Sequence, residues 1–465
     1  MTTVAPREPS ALHNNLVDAC LEESAYAAAI SLLDQSRSEC LRPANDHIRV
    51  LVFIALHPPL QGKRKYRKPN EPAPAAPKRR GRKKVTDGDD LGELHIPTPT
   101  ECANALRVLH TMIRVIHPAY ILCALPAYVA LPYASPPQSD LESVVARRAS
   151  ILASKKDCID CWAMLREGFI TPADADVSMQ VDDEQEEPVV VGRIAWPVLA
   201  WLVDAYERDA QSRVAGEEQP LTQPAILTQV TQDRLNGMRN GPIVDCRKPV
   251  EIAKFCLVAD NSQSATLSQQ ERHTLGLRLI NLLYDLTLPA TPTALPQLDP
   301  TNLVKQLALH ARQLPLPALG VIARGVAPPL LVAVLALHIS YLTKTTSKGL
   351  FAGDGFTLSL TAPPYPPPSL NVLRPLILAP AARSTTTTSA ERMVQVKAMF
   401  WLALHRSLPL SAENGRWISE VKTGSVQKLV RASFQPFFDS EDEQAREAAQ
   451  LAHERVVDKF NAMVA

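Results

Sequence analysis

Apolar residues recur every three or four positions along much of the chain, and that spacing predicts helices. Leu12, Leu16, Val17 and Leu21 make one such face, and Tyr26, Ala29, Ile30 and Leu33 make the next. Their junction at Glu23 and Ser24 is short enough for an antiparallel hairpin. Ile48, Leu51, Val52, Ala55 and Leu56 form a third face. Pro58 and Pro59 stop it, because proline lacks the amide donor and clashes with the preceding turn. From Glu101 to Ile116 the face is Ala105, Leu106, Leu109, Met112, Ile113 and Ile116, ended by Pro118.

The same reading predicts helices from about Ser139 through Trp162 to Leu165, then over 194–210, 249–258, 268–283, 302–313, 328–344, 389–406, 415–433 and 440–463. Ser139 with Glu142, Ser268 with Glu271, Thr388 with Glu391 and Ser440 with Glu443 have the spacing of capping boxes, in which each side chain satisfies an otherwise open amide. Trp196, Trp201, Trp401 and Trp417 fall at helical positions expected in the core, as do the histidines 110, 117, 310, 338 and 405, in or beside apolar stretches.

Where the periodicity lapses, the chain divides. Residues 1–60 are an N-terminal helical segment, 61–98 a basic linker expected to be disordered, and 99–171 helical again. Residues 172–188 are an acidic insertion, 189–344 helical, 345–388 a Pro/Ser/Thr-rich loop, and 389–465 C-terminal helices. With 40 prolines, 17 glycines and no strand-rich block, the expected fold class is all-α. The architecture is either an irregular helical-repeat solenoid of the HEAT or TPR kind or a large helical bundle, carrying disordered charged insertions. No fixed repeat period or TPR, ankyrin or armadillo signature is present.

Composition changes this picture mainly through charge. A formal net charge of +1 conceals two opposed blocks: eleven Lys and Arg within residues 61–84, and seven Asp and Glu within 174–187. The basic block has two clusters, Lys63, Arg64, Lys65, Arg67 and Lys68, then Lys78, Arg79, Arg80, Arg82, Lys83 and Lys84, separated by the nine residues 69–77. That arrangement resembles a bipartite nuclear localisation signal, which implies an import receptor as partner and the nucleus as location. A neutral spacer lets an extended chain lay two groups of cations into separate acidic pockets.

The second cluster, from Pro77 to Lys84, also resembles an AT-hook. The resemblance implies that Arg80, Gly81 and Arg82 would lie in the minor groove of A·T-rich DNA, with Lys78, Arg79, Lys83 and Lys84 on phosphates. It departs from the hook at Lys83, where that motif usually has proline. The acidic block reads as a solvated loop; contact with basic partners such as histones, or with the basic segment itself, stays open.

Little else points to chemistry. Cys158 and Cys161 form a CxxC in what reads as a helix, without a second pair of ligands nearby, so buried thiols are expected rather than a zinc or redox site. No HExxH, GxSxG, P-loop or GxGxxG string occurs. The apolar run Leu330–Leu342 has 13 residues where roughly 20 are needed to span a bilayer, so a core helix is expected and no membrane contact.

No catalytic residue, metal or cofactor is expected. The chain reads as a non-enzymatic nuclear scaffold or adaptor in a chromatin- or nuclear-RNA-associated complex, binding protein partners through a helical surface. The alternatives are a direct minor-groove DNA-binding protein and a cytosolic helical scaffold.

Overall fold

The computed structural model describes residues 7–39, 41–57, 97–127, 160–170, 189–214, 223–233, 243–258, 267–288, 297–343, 374, 377–378, 387–408 and 414–463. The fold is all-α. Its only sheet among the described residues is a two-stranded antiparallel ribbon, β1 (Thr231–Asp233) with β2 (Ile243–Asp245), in which Gln232 faces Val244. The sequence pattern gives no sign of this ribbon. Contacts divide the chain into two units, one built mainly from residues 1–125 and one mainly from 187–465.

The first unit holds α1 (Ala11–Glu22), α2 (Tyr26–Gln35), α3 (Asn45–Ala55), α4 (Pro99–Val115) and α5 (Pro118–Leu122). α1 and α2 pack as the expected hairpin, with Ser24 taking a left-handed φ of 57° at the turn. Val17 and Leu21 are buried, but Leu12 is 80% and Leu16 50% exposed, so the apolar stripe of α1 is only half used. α2 and α3 both pack on α4.

Thr98 and Glu101 form a complete capping box at the start of α4, with Pro99 in the first turn where its missing amide costs nothing. The Cys102 thiol lies 3.8 Å from the His57 carbonyl oxygen. Residues 57 and 102 are therefore brought near each other, although the whole basic segment lies between them in sequence. Polar ties complete the unit: Arg49 Nε donates to the Ala124 carbonyl at 2.7 Å, and His47 Nε2 lies 2.9 Å from Asp18 Oδ1.

The second unit holds α6 (Trp196–Val214), α7 (Arg247–Val258), α8 (Gln269–Asp285), α9 (Pro300–Ala311), α10 (Leu316–Gly325), α11 (Pro328–Thr343), α12 (Thr387–Ser407), α13 (Asn414–Lys422), α14 (Ser425–Phe438) and α15 (Glu443–Asn461). Most of its packing is between near neighbours in chain order: α6 and α7 on α8, α9 on α7 and α11, α11 on α12, α12 on α15, and α15 on α14. This is the logic of stacked helical hairpins, in which each element buries its apolar face on the next.

α11 is buried on nearly all sides, from Leu330 to Ser340, as its unbroken apolar run requires. Trp196, Trp201, Trp401 and Trp417 are all in the core, and no described helix is long and apolar enough to cross a membrane.

Four expectations change. Residues 160–165 form a turn and a short 3-10 helix (Ala163–Leu165) rather than the end of an α-helix, because side chains capture the amides a helix would use. Asp160 Oδ1 accepts from Ala163 N at 2.9 Å, and Gln229 Oε1 accepts from Cys161 N at 2.8 Å. The helix expected over 415–433 is two, α13 and α14, divided at Gly424, whose φ of 74° only glycine adopts cheaply. α15 is capped by the Asp442 carboxylate, which accepts from Gln444 N and Ala445 N, in place of a Ser440–Glu443 box. Finally, α10 was hidden by its Leu-Pro-Leu-Pro opening; Pro315 and Pro317 sit at its cap and first turn, where proline is tolerated.

Candidate functional site

The residues singled out for import or DNA contact, Lys63, Arg64, Lys65, Arg67, Lys68, Lys78, Arg79, Arg80, Gly81, Arg82, Lys83 and Lys84, lie outside the described residues, as do Cys158 and the acidic block 172–188. Within the described residues, two arrangements of polar side chains stand out. One is sealed and the other is open.

The sealed one surrounds Asp160, which is fully buried and lies 2.6 Å from Lys248 Nζ. Gln229 joins it by accepting from Cys161 N through its side chain and from Trp162 Nε1 through its carbonyl, at 3.0 Å. The Cys161 sulfur is 3.3 Å from Tyr206 Oη, and the buried Asp209 carboxylate accepts from Ala225 N at 2.9 Å.

Burial, followed by the neighbouring Cys161, pushes the Tyr206 phenol well above its ordinary value. Burial also pushes the Cys256 thiol up to about 12 and Cys102 up to about 11, the latter helped by Glu101. Such thiols stay protonated near neutrality and are poor nucleophiles. Among the described residues no three His, Cys, Asp or Glu side chains come together as a metal site. The arrangement fits a structural joint that ties the 160–165 turn to α6, α7 and the 3-10 turn at Ala225–Gln229.

The open one is a trough of about 740 Å³ on the second unit, between α10, α12 and α15. The direction of the three helices follows from their contacts. Near the start of α12, Arg392 donates to the Ala311 and Leu314 carbonyls just ahead of α10; near its end, Arg406 donates to Ala323 O at 2.6 Å, in the last turn of α10. α10 and α12 therefore run parallel.

Phe460, near the end of α15, packs edge-on against Trp401 and His405 of α12. Further back, Lys397 of α12 reaches Ser433 of α14, whose neighbour Phe434 lies against His453 of α15. α15 is thus parallel as well, and the C-terminal ends of all three helices meet at one end of the trough.

Sequence and geometry together set the chemistry of its walls. Along α12, Gln395, Met399, Leu402 and Arg406 form a half-buried or exposed stripe flanked by Ala398 and Ala403. Ala448, Leu451, Ala452, Arg455 and Lys459 follow at helical spacing on α15. Leu451 is 71% exposed, an uncovered apolar side chain on the wall.

Arg324, Arg406, Arg455 and Lys459 all belong to the C-terminal halves of their helices, and Arg324, Arg406 and Lys459 lie in the last turn, where the carbonyl ends of the helix favour cations. All four are exposed and line the trough, and none has a carboxylate partner among the described residues. Glu447, Glu454 and Asp458 are exposed on the same stripe of α15 as Leu451 and do not line the trough. His405, half-buried at the cationic end, is pushed below its usual value by burial, and its Nε2 has no hydrogen-bond partner among the described residues.

A second hollow, of about 640 Å³ between α7 and α9, is lined by Arg247, Glu251, Gln306, Leu309, His310 and Arg312 among others, and mixes both signs of charge. Sequence reasoning assigned α12 and α15 as helices but not the trough, because it depends on α10 and on three helices lying parallel. The only local signals were Leu451 and the cations of the last turns. Compared with protein-family models, curated proteins and solved structures, the chain has no match.

Proposed function

We propose that this protein is a non-enzymatic helical adaptor of the nucleus, a subunit of a chromatin- or nuclear-RNA-associated complex whose second unit grips a protein partner. The observation that carries the adaptor reading is the trough between α10, α12 and α15, with small and apolar side chains along its floor, Leu451 uncovered on its wall and four cations weighted toward one end. Apolar anchors ringed by charge are the usual anatomy of a protein-binding surface. The nuclear address rests on the paired basic clusters Lys63–Lys68 and Lys78–Lys84.

The test is made in cells with the tagged full-length chain. Wild type is compared with a variant in which Lys78, Arg79, Arg80, Arg82, Lys83 and Lys84 are alanine, and with Leu451→Asp. The expected result is nuclear wild type, cytoplasmic basic-cluster variant, and nuclear Leu451→Asp that migrates at lower native mass than wild type. A cytoplasmic wild type overturns the nuclear reading. A Leu451→Asp protein of unchanged native mass overturns the assignment of the trough as the adaptor surface.

A further inference from the structure

We infer that the occupant of this trough is an amphipathic α-helix of a partner protein with carboxylates in its N-terminal turns, lying antiparallel to α10, α12 and α15. The inference rests on the adaptor reading above and narrows it to one chemistry and one orientation.

The length fits first. From Gln395 to Arg406 the α12 stripe covers eleven residue steps, roughly 16 Å at about 1.5 Å per residue, which matches three turns of a bound helix. The floor fits next, because Ala323, Ala398, Ala403, Ala448 and Ala452 let another helix approach closely while Met399, Leu402 and Leu451 offer apolar contacts to its i, i+3, i+4 and i+7 positions.

The charge distribution then fixes the direction. The cationic charge is weighted toward the end where three helix C-termini meet, with Arg324, Arg406 and Lys459 in last turns and Arg455 one turn earlier, so carboxylates of the occupant belong at that end. Carboxylates are most favourable in the first turn of their own helix, beside its open amides. The occupant's N-terminus therefore points to the C-terminal ends of α10, α12 and α15, and the helix dipoles oppose.

Other occupants match less well. A nucleic acid strand needs cations spaced along its track and flat side chains for its bases. Here the cations are weighted toward one end and, among the described residues, no Phe, Tyr or Trp lines the trough. A membrane surface needs an apolar face that protrudes, whereas this one is recessed between helices.

The experiment measures binding of fluorescein-labelled helical peptides of roughly 14 residues, about four turns, to the full-length chain by anisotropy. Each has a Leu/Ala face. One carries four Glu in its first two turns, one carries the same Glu in its last two turns, and one has Gln in their place. An A·T-rich duplex and vesicles with anionic lipid serve as competitors.

The expected order is N-terminal Glu tightest and the Gln peptide about tenfold weaker, with C-terminal Glu between or equal to Gln. Leu451→Asp and the Arg455→Glu/Lys459→Glu pair should each weaken the N-terminal-Glu peptide tenfold or more. Leu451 is exposed, so Leu451→Asp should keep the wild-type helical circular dichroism and melting.

Equal binding of the three peptides, binding untouched by the variants, preference for C-terminal Glu, or displacement by duplex or vesicle would each overturn the inference. So would the absence of binding by all peptides. If that absence coincides with a Leu451→Asp effect on native mass in cells, the adaptor reading survives and only this occupant is wrong; if neither effect is seen, both fall.

Discussion

Lys397 of α12 donates its ammonium to the main-chain carbonyl of Ser433 in α14 at 2.9 Å, although the lysine is only 1% exposed. The same turn of α14 is held from α12 a second time, by Trp401 Nε1 donating to Ser433 Oγ, and the Phe437 ring lies 5.4 Å from the ammonium. Pro436, inside α14, has no amide to give the Ala432 carbonyl and its ring crowds that turn, one residue before the carbonyl that Lys397 holds. The ammonium thereby has an acceptor inside the core, where an unpaired cation would be costly.

Desolvation pushes Lys397 down to about 8, against 10.5 in the unfolded chain. Between those two values the unfolded chain holds a proton that the folded chain has released, so this residue's contribution to stability rises with pH. Relative to Lys397→Met, wild type should therefore gain up to about 3 kcal/mol on going from pH 7 to above 10. Urea denaturation of both proteins across that range, followed by circular dichroism, checks the slope.

His338 should make the second unit sensitive to acid. It is buried in α11, neither ring nitrogen has a hydrogen-bond partner among the described residues, and burial, reinforced by Arg392 and Arg312, lowers it to about 4. From the usual 6.5 down to about 4 the unfolded chain takes up a proton that the folded chain refuses, so stability falls across that window and levels off below it. His338→Leu should remove up to about 3 kcal/mol of this acid loss, read as the difference between the two denaturation curves at pH 7 and near pH 4.

Breaking the Asp160–Lys248 pair should cost far more than breaking an exposed one. Lys248→Met leaves a fully buried carboxylate without its cation, a loss of about 3 kcal/mol or more. Arg107→Ala removes one of the two cations on Asp34, leaving Arg37, at a site where Arg107 is 55% exposed, and should cost under about 1 kcal/mol. Thermal melts of the two variants side by side give the comparison.

Gly276 marks the closest approach of α7 and α8. A Cβ there would stand 2.8 Å from the Ala253 carbonyl oxygen and 2.9 Å from Cys256 Cβ. Gly276→Ala should therefore destabilise by about 1–3 kcal/mol despite the better helix propensity of alanine. Gly320→Ala, whose new atom meets only the end of Arg324 at 3.6 Å, should be neutral or slightly stabilising. Opposite shifts in melting temperature would separate packing from propensity.

Much of the helical layout was legible because burial has a period. The faces on α2 and α4 reappear as buried residues almost position for position, the apolar run of α11 is buried as expected, and the Ser268–Glu271 box forms as its spacing implies. Periodicity cannot see what depends on a distant partner. Leu12 and Leu16 obey the helical rule and still face outward, and Asp160 draws Ala163 N away from a helix only with Lys248 and Gln229 gathered around it. Proline was misleading in one direction: it hid α10, where Pro315 and Pro317 open the helix rather than break it. The trough was out of reach for the same reason, since one of its walls is that helix.

The near-neighbour packing of the second unit also decides how it loosens. In a row of helices, an opening at one place need not be felt several places away, so amide hydrogen exchange should be graded along the chain rather than uniform. α10, α12 and α15 are spread along that row, and whatever settles between them fastens early helices to late ones. Occupancy would then be read as slower exchange reaching well beyond the residues it touches, a lengthening of the span that opens as one.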